Sequence, residues 1–252
     1  GLGGSVGITE KPTVTYSPLQ GDQFIQRVLS PLPLQTIVLL FHSGWSIERI
    51  FRLSFQRMNH LKNAPGASGP TPRDIPHYTE FASAAKYLRA LQVQDAISLS
   101  YHEENGVSQL ILHINEEDRN REEAKQFALA VNVEPGKTHY VLAFSPAFNK
   151  TDQIQVVTRS LLGIMFYLSQ AVEVPKKDIS QGKVTQTKTP EGKIFDWKDV
   201  TGDLLRISSL SGNPQADSKS IYYRGTWFYI DDSDLSSTST FSLLAQIFSL
   251  QA

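Results

Sequence analysis

Residues 96–114 read AISLSYHEENGVSQLILHI, and this stretch decides the fold. Two runs, Ala96–Tyr101 and Val107–Ile114, alternate apolar and polar residues, the period-two pattern of a half-buried strand. Asn105-Gly106 lies between them, and both residues tolerate the positive φ that a tight hairpin turn demands. The stretch therefore predicts two neighbouring antiparallel strands.

Working outward, the pattern changes period. Tyr78–Leu91 sets Phe81, Ala85, Leu88 and Leu91 at helical spacing. Downstream, Asn115 can cap a helix over Glu116–Val131, whose acidic first turn suits the helix dipole. His139–Phe144 and Gln153–Val157 read as strands, and Arg159–Ala171 as an apolar helix ended before Pro175. Lys183–Lys188 and Lys193–Trp197 flank TPEG as a possible hairpin. Leu204–Ser209 reads as a short strand, and Leu235–Leu250 as a closing helix with Phe241, Leu244, Ala245 and Phe248 on one face.

Upstream, Asp22–Leu29 and Leu34–His42 are helix candidates. Ile47–Leu61 is an amphipathic one, capped by Ser46, with Ile47, Ile50, Phe51, Ser54, Phe55 and Met58 in phase. Residues 1–62 thus form a helical N-terminal portion with a loose start over 1–20. NAPGASGPTPRDIP (63–76) is a linker or a long surface loop, and 77–252 is the main domain. Mixed helices, strands and hairpins predict an α+β fold with a mainly antiparallel mixed sheet packed with helices.

Composition narrows the chemistry. The chain has 252 residues, a formal net charge of -1 and scattered Lys and Arg, which disfavours nucleic acid as a partner. No cysteine is present, which excludes disulfides, thiolate zinc sites, iron–sulfur clusters and cysteine nucleophiles. A cysteine-free chain suits the cytoplasm and equally an envelope protein. The apolar runs Thr36–Phe41 and Ser160–Val172 fall below the roughly 20 residues of a membrane span.

Two later segments, TRSLLGIMFYLSQAVEVP (158–175) and YRGTWFYIDDSDLSSTSTFSLLAQIFSLQ (223–251), carry a resemblance. With YSPLQGDQFIQRVLSPLP and SGWSIERIFRLSFQRMNHLKN, they resemble an uncharacterised family of bacterial envelope proteins, often predicted to be lipoproteins. The resemblance implies the periplasm or the outer membrane periphery, with other envelope proteins as partners and any lipid anchor in a leader upstream of Gly1. It implies no activity.

Candidate sites gather in IYYRGTWFYIDDSD (221–234). Were Arg224-Gly225 a two-residue turn, Tyr222 would face Trp227 and Ile221 would face Phe228. A glycine bulge would reverse the faces, and a single bent strand is the third option. Tyr222, Arg224, Trp227 and Tyr229 are the candidate binding residues, set against ordinary sheet stabilisation by cross-strand rings. Asp231, Asp232 and Asp234 are the candidate catalytic carboxylates, set against capping of the following helix. Trp45, Trp197 and Trp227 read as core more readily than as interface anchors, with Trp197 and Trp227 expected within the sheet layer, and Glu173, Asp178, Asp196 and Asp199 could pair in a cleft.

Other motifs fail their context. His42-Ser43-Gly44-Trp45-Ser46 is no nucleophile elbow. The dispersed histidines lack metal spacing, though His102 and His113 could meet across the Asn-Gly hairpin. GLGGSVG has no strand before it, so no dinucleotide cofactor is expected, and no metal or other cofactor either. The leading expectation is a non-enzymatic envelope protein that binds or scaffolds others. The alternative is a hydrolase using the carboxylates near 231–234.

Overall fold

The computed structural model of the chain describes residues 21–104, 106–145, 151–214 and 219–251. The fold is α+β. The expectation for residues 1–20 lies outside the described residues.

The chain opens with α1 (Gly21–Leu29), α2 (Leu34–His42) and α3 (Ile47–Ser54), the last capped where Ser46 Oγ accepts the Arg49 N–H. The helix expected to reach Leu61 stops at Ser54. Phe55–Met58 is strand β1, paired with β2 (Leu61–Lys62). Two side chains claim the carbonyls at the end of α3: Asn63 Nδ2 donates to Arg52 O and Phe55 O at 2.8 Å each, and Arg159 reaches them from a hundred residues away. Arg159 Nη1 donates to the carbonyls of Arg52, Leu53 and Phe55 at 3.0, 3.1 and 2.7 Å. A continuing helix would need the first two of these for the N–H groups of Gln56 and Arg57.

After a 3-10 turn at Pro65–Ser68 comes α4 (Thr79–Val93), with Phe81, Leu88 and Leu91 buried as their spacing predicts. Strands β3 (Ile97–Glu104) and β4 (Val107–Ile114) pair antiparallel from Ile97↔Ile114 to Glu104↔Val107, as the opening stretch predicts. The next helix, α5 (Glu122–Ala130), begins later than expected. Asp118 is buried and accepts from Asn115 Nδ2 and Arg121 Nε, so Asn115–Arg121 folds as consecutive turns. Strands β5 (His139–Ala143) and β6 (Gln153–Thr158) follow, then α6 (Leu161–Ser169), capped by Ser160.

These strands form one mixed sheet in the order β2-β1-β6-β5-β4-β3, antiparallel except between β5 and β6. Leu99, Leu110, Leu112, Tyr140, Leu142, Ile154 and Val156 share the buried face, while Ser98, His113 and Gln155 reach solvent opposite. Helices cover one face, which suits strands that alternate apolar with polar. The core is continuous: Ile37, Phe51, Phe81, Phe127, Ile164 and Ile247 belong to one cluster. Residues 63–76 run over the surface yet anchor in it through Asn63, Ala64 and Ala67.

Two short helices, α7 (Lys176–Ser180) and α8 (Lys198–Thr201), lead to a second sheet of three strands. It comprises β7 (Ser208–Leu210), β8 (Lys219–Tyr223) and β9 (Thr226–Ile230) in the order β7-β9-β8. The hairpin expected around TPEG reduces to one bridge, Lys188↔Ile194, with Thr187 and Thr189 completing the turn.

The closing helix α9 (Leu235–Gln251) forms as predicted but buries another face. Ser237, Thr240, Leu243 and Ile247 point inward, whereas Phe241 and Phe248 stay 48% and 44% exposed and Ala245 is exposed. Hydrogen bonds set this rotation. Thr240 Oγ1 donates to Leu204 O at 2.6 Å, Arg49 Nη1 reaches Ser236 O at 2.7 Å, and Ser237 Oγ accepts the Arg206 N–H at 2.8 Å.

Candidate functional site

The segment singled out in the sequence is a hairpin with a two-residue turn. Arg224 takes φ 51° and Gly225 φ 78°, the left-handed pair of a type I′ turn, despite the poor fit of arginine there. Lys177 Nζ donates to both turn carbonyls, Arg224 O at 3.2 Å and Gly225 O at 3.3 Å, which helps hold the turn. The register is therefore the unbulged one, with Tyr222 opposite Trp227 and Ile221 opposite Phe228. The Tyr222 and Trp227 rings lie 5.2 Å apart at 49°.

Strand alternation puts Tyr222, Trp227 and Tyr229 on one face. Ile221, Tyr223 and Phe228 lie on the other, together with Thr226 and Ile230. Those last two are buried, so β9 rests on the body of the molecule. Strand β8 overhangs it: Ile221, Tyr222 and Tyr223 are 66%, 62% and 59% exposed. Of the binding candidates, Tyr222 and Arg224 are exposed, and Trp227 and Tyr229 are half-buried. Ile221 and Tyr223 were missed in the sequence reading. Their aromatic and β-branched character read as packing, and only the place of β8 at the sheet edge exposes them.

The three carboxylates do not gather on a common point. Asp231 Oδ1 accepts the N–H and hydroxyl of Ser233 at 2.9 and 2.5 Å, which holds its carboxyl below the usual range. Asp234 caps α9 by accepting the N–H and hydroxyl of Ser237 at 3.0 and 2.7 Å. Partial burial raises the Asp234 pKa, but these bonds outweigh it and leave the group below its ordinary value. Asp232 is exposed, and none of the three lines a described cleft.

The largest of the described clefts lies elsewhere. It holds about 540 Å³ beside residues 70–72, 169–174 and 183–187, walled by Val174, Ile194, Phe195 and Trp197. Glu173 and Asp196 line it, but each carboxylate accepts a backbone N–H, from Ser209 and Lys198 respectively. Trp197 Nε1 donates to Thr187 Oγ1, and Trp45 Nε1 to Gln246 Oε1, so both indoles pack against the core with their polar edge satisfied. His102 does not meet His113: it faces Gln109, and His113 lies opposite His139. Among the described residues no group of three or more His, Asp or Glu could hold a metal ion, and no helix is long and apolar enough to cross a membrane.

A buried cationic network lies beneath α3. Arg159 is fully buried and stacks 4.1 Å from the Tyr167 ring centroid. It faces carbonyls rather than a carboxylate, Asn63 O among them. Burial pushes its pKa down to about 10, which leaves it charged at neutral pH. Arg52 beside it binds both Asp203 oxygens, at 2.6 and 2.8 Å. This network closes a helix end.

No family model matches the chain, and no curated protein and no solved structure is similar to it.

Proposed function

We propose that the chain is a non-enzymatic binding module of the bacterial cell envelope, peripheral in the periplasm or at the outer membrane, that takes a protein partner on the β8–β9 hairpin. The envelope setting rests on the resemblance carried by residues 158–175 and 223–251. The binding role rests on one observation: Ile221, Tyr222 and Tyr223 are consecutive, large and exposed on an edge strand. Large exposed side chains on both faces of an unpaired edge strand suit the addition of a partner's strand. The binding reading is preferred to the hydrolase alternative because Asp231 and Asp234 make turn and cap bonds.

The test is affinity capture from an envelope extract with the full chain and with Ile221→Ser/Tyr223→Ser. Both side chains are exposed, so the variant should melt within about 0.5 kcal/mol of the parent and lose its captured partner. Capture unchanged by the double substitution would overturn the reading. Cell fractionation that finds the protein in the cytoplasm alone would overturn the envelope assignment.

A further inference from the structure

The hairpin carries more information than its exposure. In a two-residue turn the flanking residues, Tyr223 and Thr226, exchange both backbone hydrogen bonds. Alternation then assigns the N–H and C=O of Tyr223, Ile221 and Lys219 to the ladder with β9. Those of Ser220 and Tyr222 point away from it, to the free edge of β8. Among the described residues nothing pairs with that edge. The far edge of the same sheet is occupied. Ile207, just before β7, donates to Ala171 O and accepts from Glu173 N, and Ser209 N donates to the Glu173 carboxylate. Among the described residues the β8 edge is therefore open, and it has neither the bulge nor the proline that can make an edge refuse partners.

Resting on the reading of the hairpin as a protein-binding surface, we infer that the strand this edge takes is β8 of a second copy, antiparallel and centred on Ile221. The outward residues Ser220 and Tyr222 are symmetric about Ile221. A two-fold axis there pairs Ser220 of each copy with Tyr222 of the other and uses every outward N–H and C=O of the strand. A register centred on Ser220 or on Tyr222 reaches past the strand ends and leaves part of this set unused. The central register also suits the side chains. Lys219, the only charge in β8, meets a Tyr223 ring instead of a second lysine, and Ile221 meets Ile221. Because Ala171 and Glu173 already engage the β7 edges, β8 is the edge left for pairing among the described residues. The assembly closes as a two-fold dimer instead of extending as a fibre.

The natural absence of cysteine makes the register directly readable. At the centre, Ile221 and its mate form a non-hydrogen-bonded pair with Cα atoms about 4.5 Å apart, within disulfide reach. Under mild oxidation the full chain carrying Ile221→Cys should become a covalent dimer. Lys219→Cys or Tyr223→Cys alone should not, but a mixture of those two should cross-link. Tyr222→Pro removes an outward N–H and leaves the β9 ladder intact, so sedimentation should show dimerisation weakened at least about tenfold with the monomer still folded. Equal cross-linking at all three positions, or a chain that sediments as a monomer at every concentration, overturns the inference. If a monomeric chain still captures a partner that Ile221→Ser/Tyr223→Ser loses, the binding role survives with a strand from another protein. If capture is also indifferent to that variant, both fall.

Discussion

Arg159 is the residue on which the most structure depends. One guanidinium satisfies the end of α3 and the Asn63 carbonyl, and it ends the helix by claiming acceptors the next turn would use. Cations favour helix C-termini, and a buried cation without its bonds is costly. Arg159→Met keeps the volume and removes the donors to Leu53 O and Asn63 O, while Asn63 Nδ2 still serves Arg52 O and Phe55 O. Denaturant unfolding is expected to show a loss of at least about 3 kcal/mol.

Arg52 gives a pH-dependent companion. Burial would raise the Asp203 pKa, but the bidentate bond and charge of Arg52 overcome it and hold the group below the usual carboxylate value. A depressed folded-state pKa contributes stability above the unfolded value near pH 4, and that contribution disappears as pH falls through the folded value. Asp203→Asn is therefore expected to cost about 1–2 kcal/mol at pH 7, discounted for the half-exposed carboxylate. The difference between variant and parent melts should shrink and then vanish as pH falls below the ordinary carboxylate value and through the lower folded-state value. A difference that stays constant across that window would contradict the pairing.

At the scale of elements, what a residue does depends on which neighbour claims its hydrogen bonds. In the acidic run before α9, the sequence offered capping and chemistry as rival uses. The geometry gives Asp234 the cap and leaves Asp232 in solvent. Asp234→Ala should cost about 1 kcal/mol of thermal stability, and Asp232→Ala almost none. Equal losses at both positions would count against the cap. The same competition explains the misjudged face of α9. Apolar spacing pointed to Phe241 and Phe248, but the hydroxyls of Ser237 and Thr240 have partners on the 204–206 segment and turn inward. A buried hydroxyl with its partner in place is tolerated, and one without is not. Periodicity records which residues are apolar and cannot record where a partner for a hydroxyl waits.

For the whole molecule, one continuous core joins the first helices to the last. Strand β1 lies inside the large sheet against β6, in the register Arg57↔Val157 and Met58↔Val156. Residues 77–252 alone would lack that strand, the helix end that Arg159 closes, and the Ile37, Ile50 and Phe51 part of the core. The fragment is expected to lose near-UV circular dichroism and cooperative melting, whereas the full chain should unfold in one transition. A fragment that melts cooperatively near the parent temperature would show that the segment before residue 63 is a separate unit.

The sequence by itself determined the α+β class, the β3–β4 hairpin, and the positions of α2, α4 and α6. It also singled out the ring-rich stretch near the carboxyl end. These rest on local rules: side-chain period, turn residues that tolerate positive φ, and caps within a few positions. The end of α3, the buried face of α9 and, among the described residues, the open edge of β8 with Ile221 and Tyr223 in solvent follow from the folded chain. Each of those depends on a group far away in the chain, either an arginine that takes carbonyls or a strand whose far side stays unoccupied. Local pattern carries no trace of such partners.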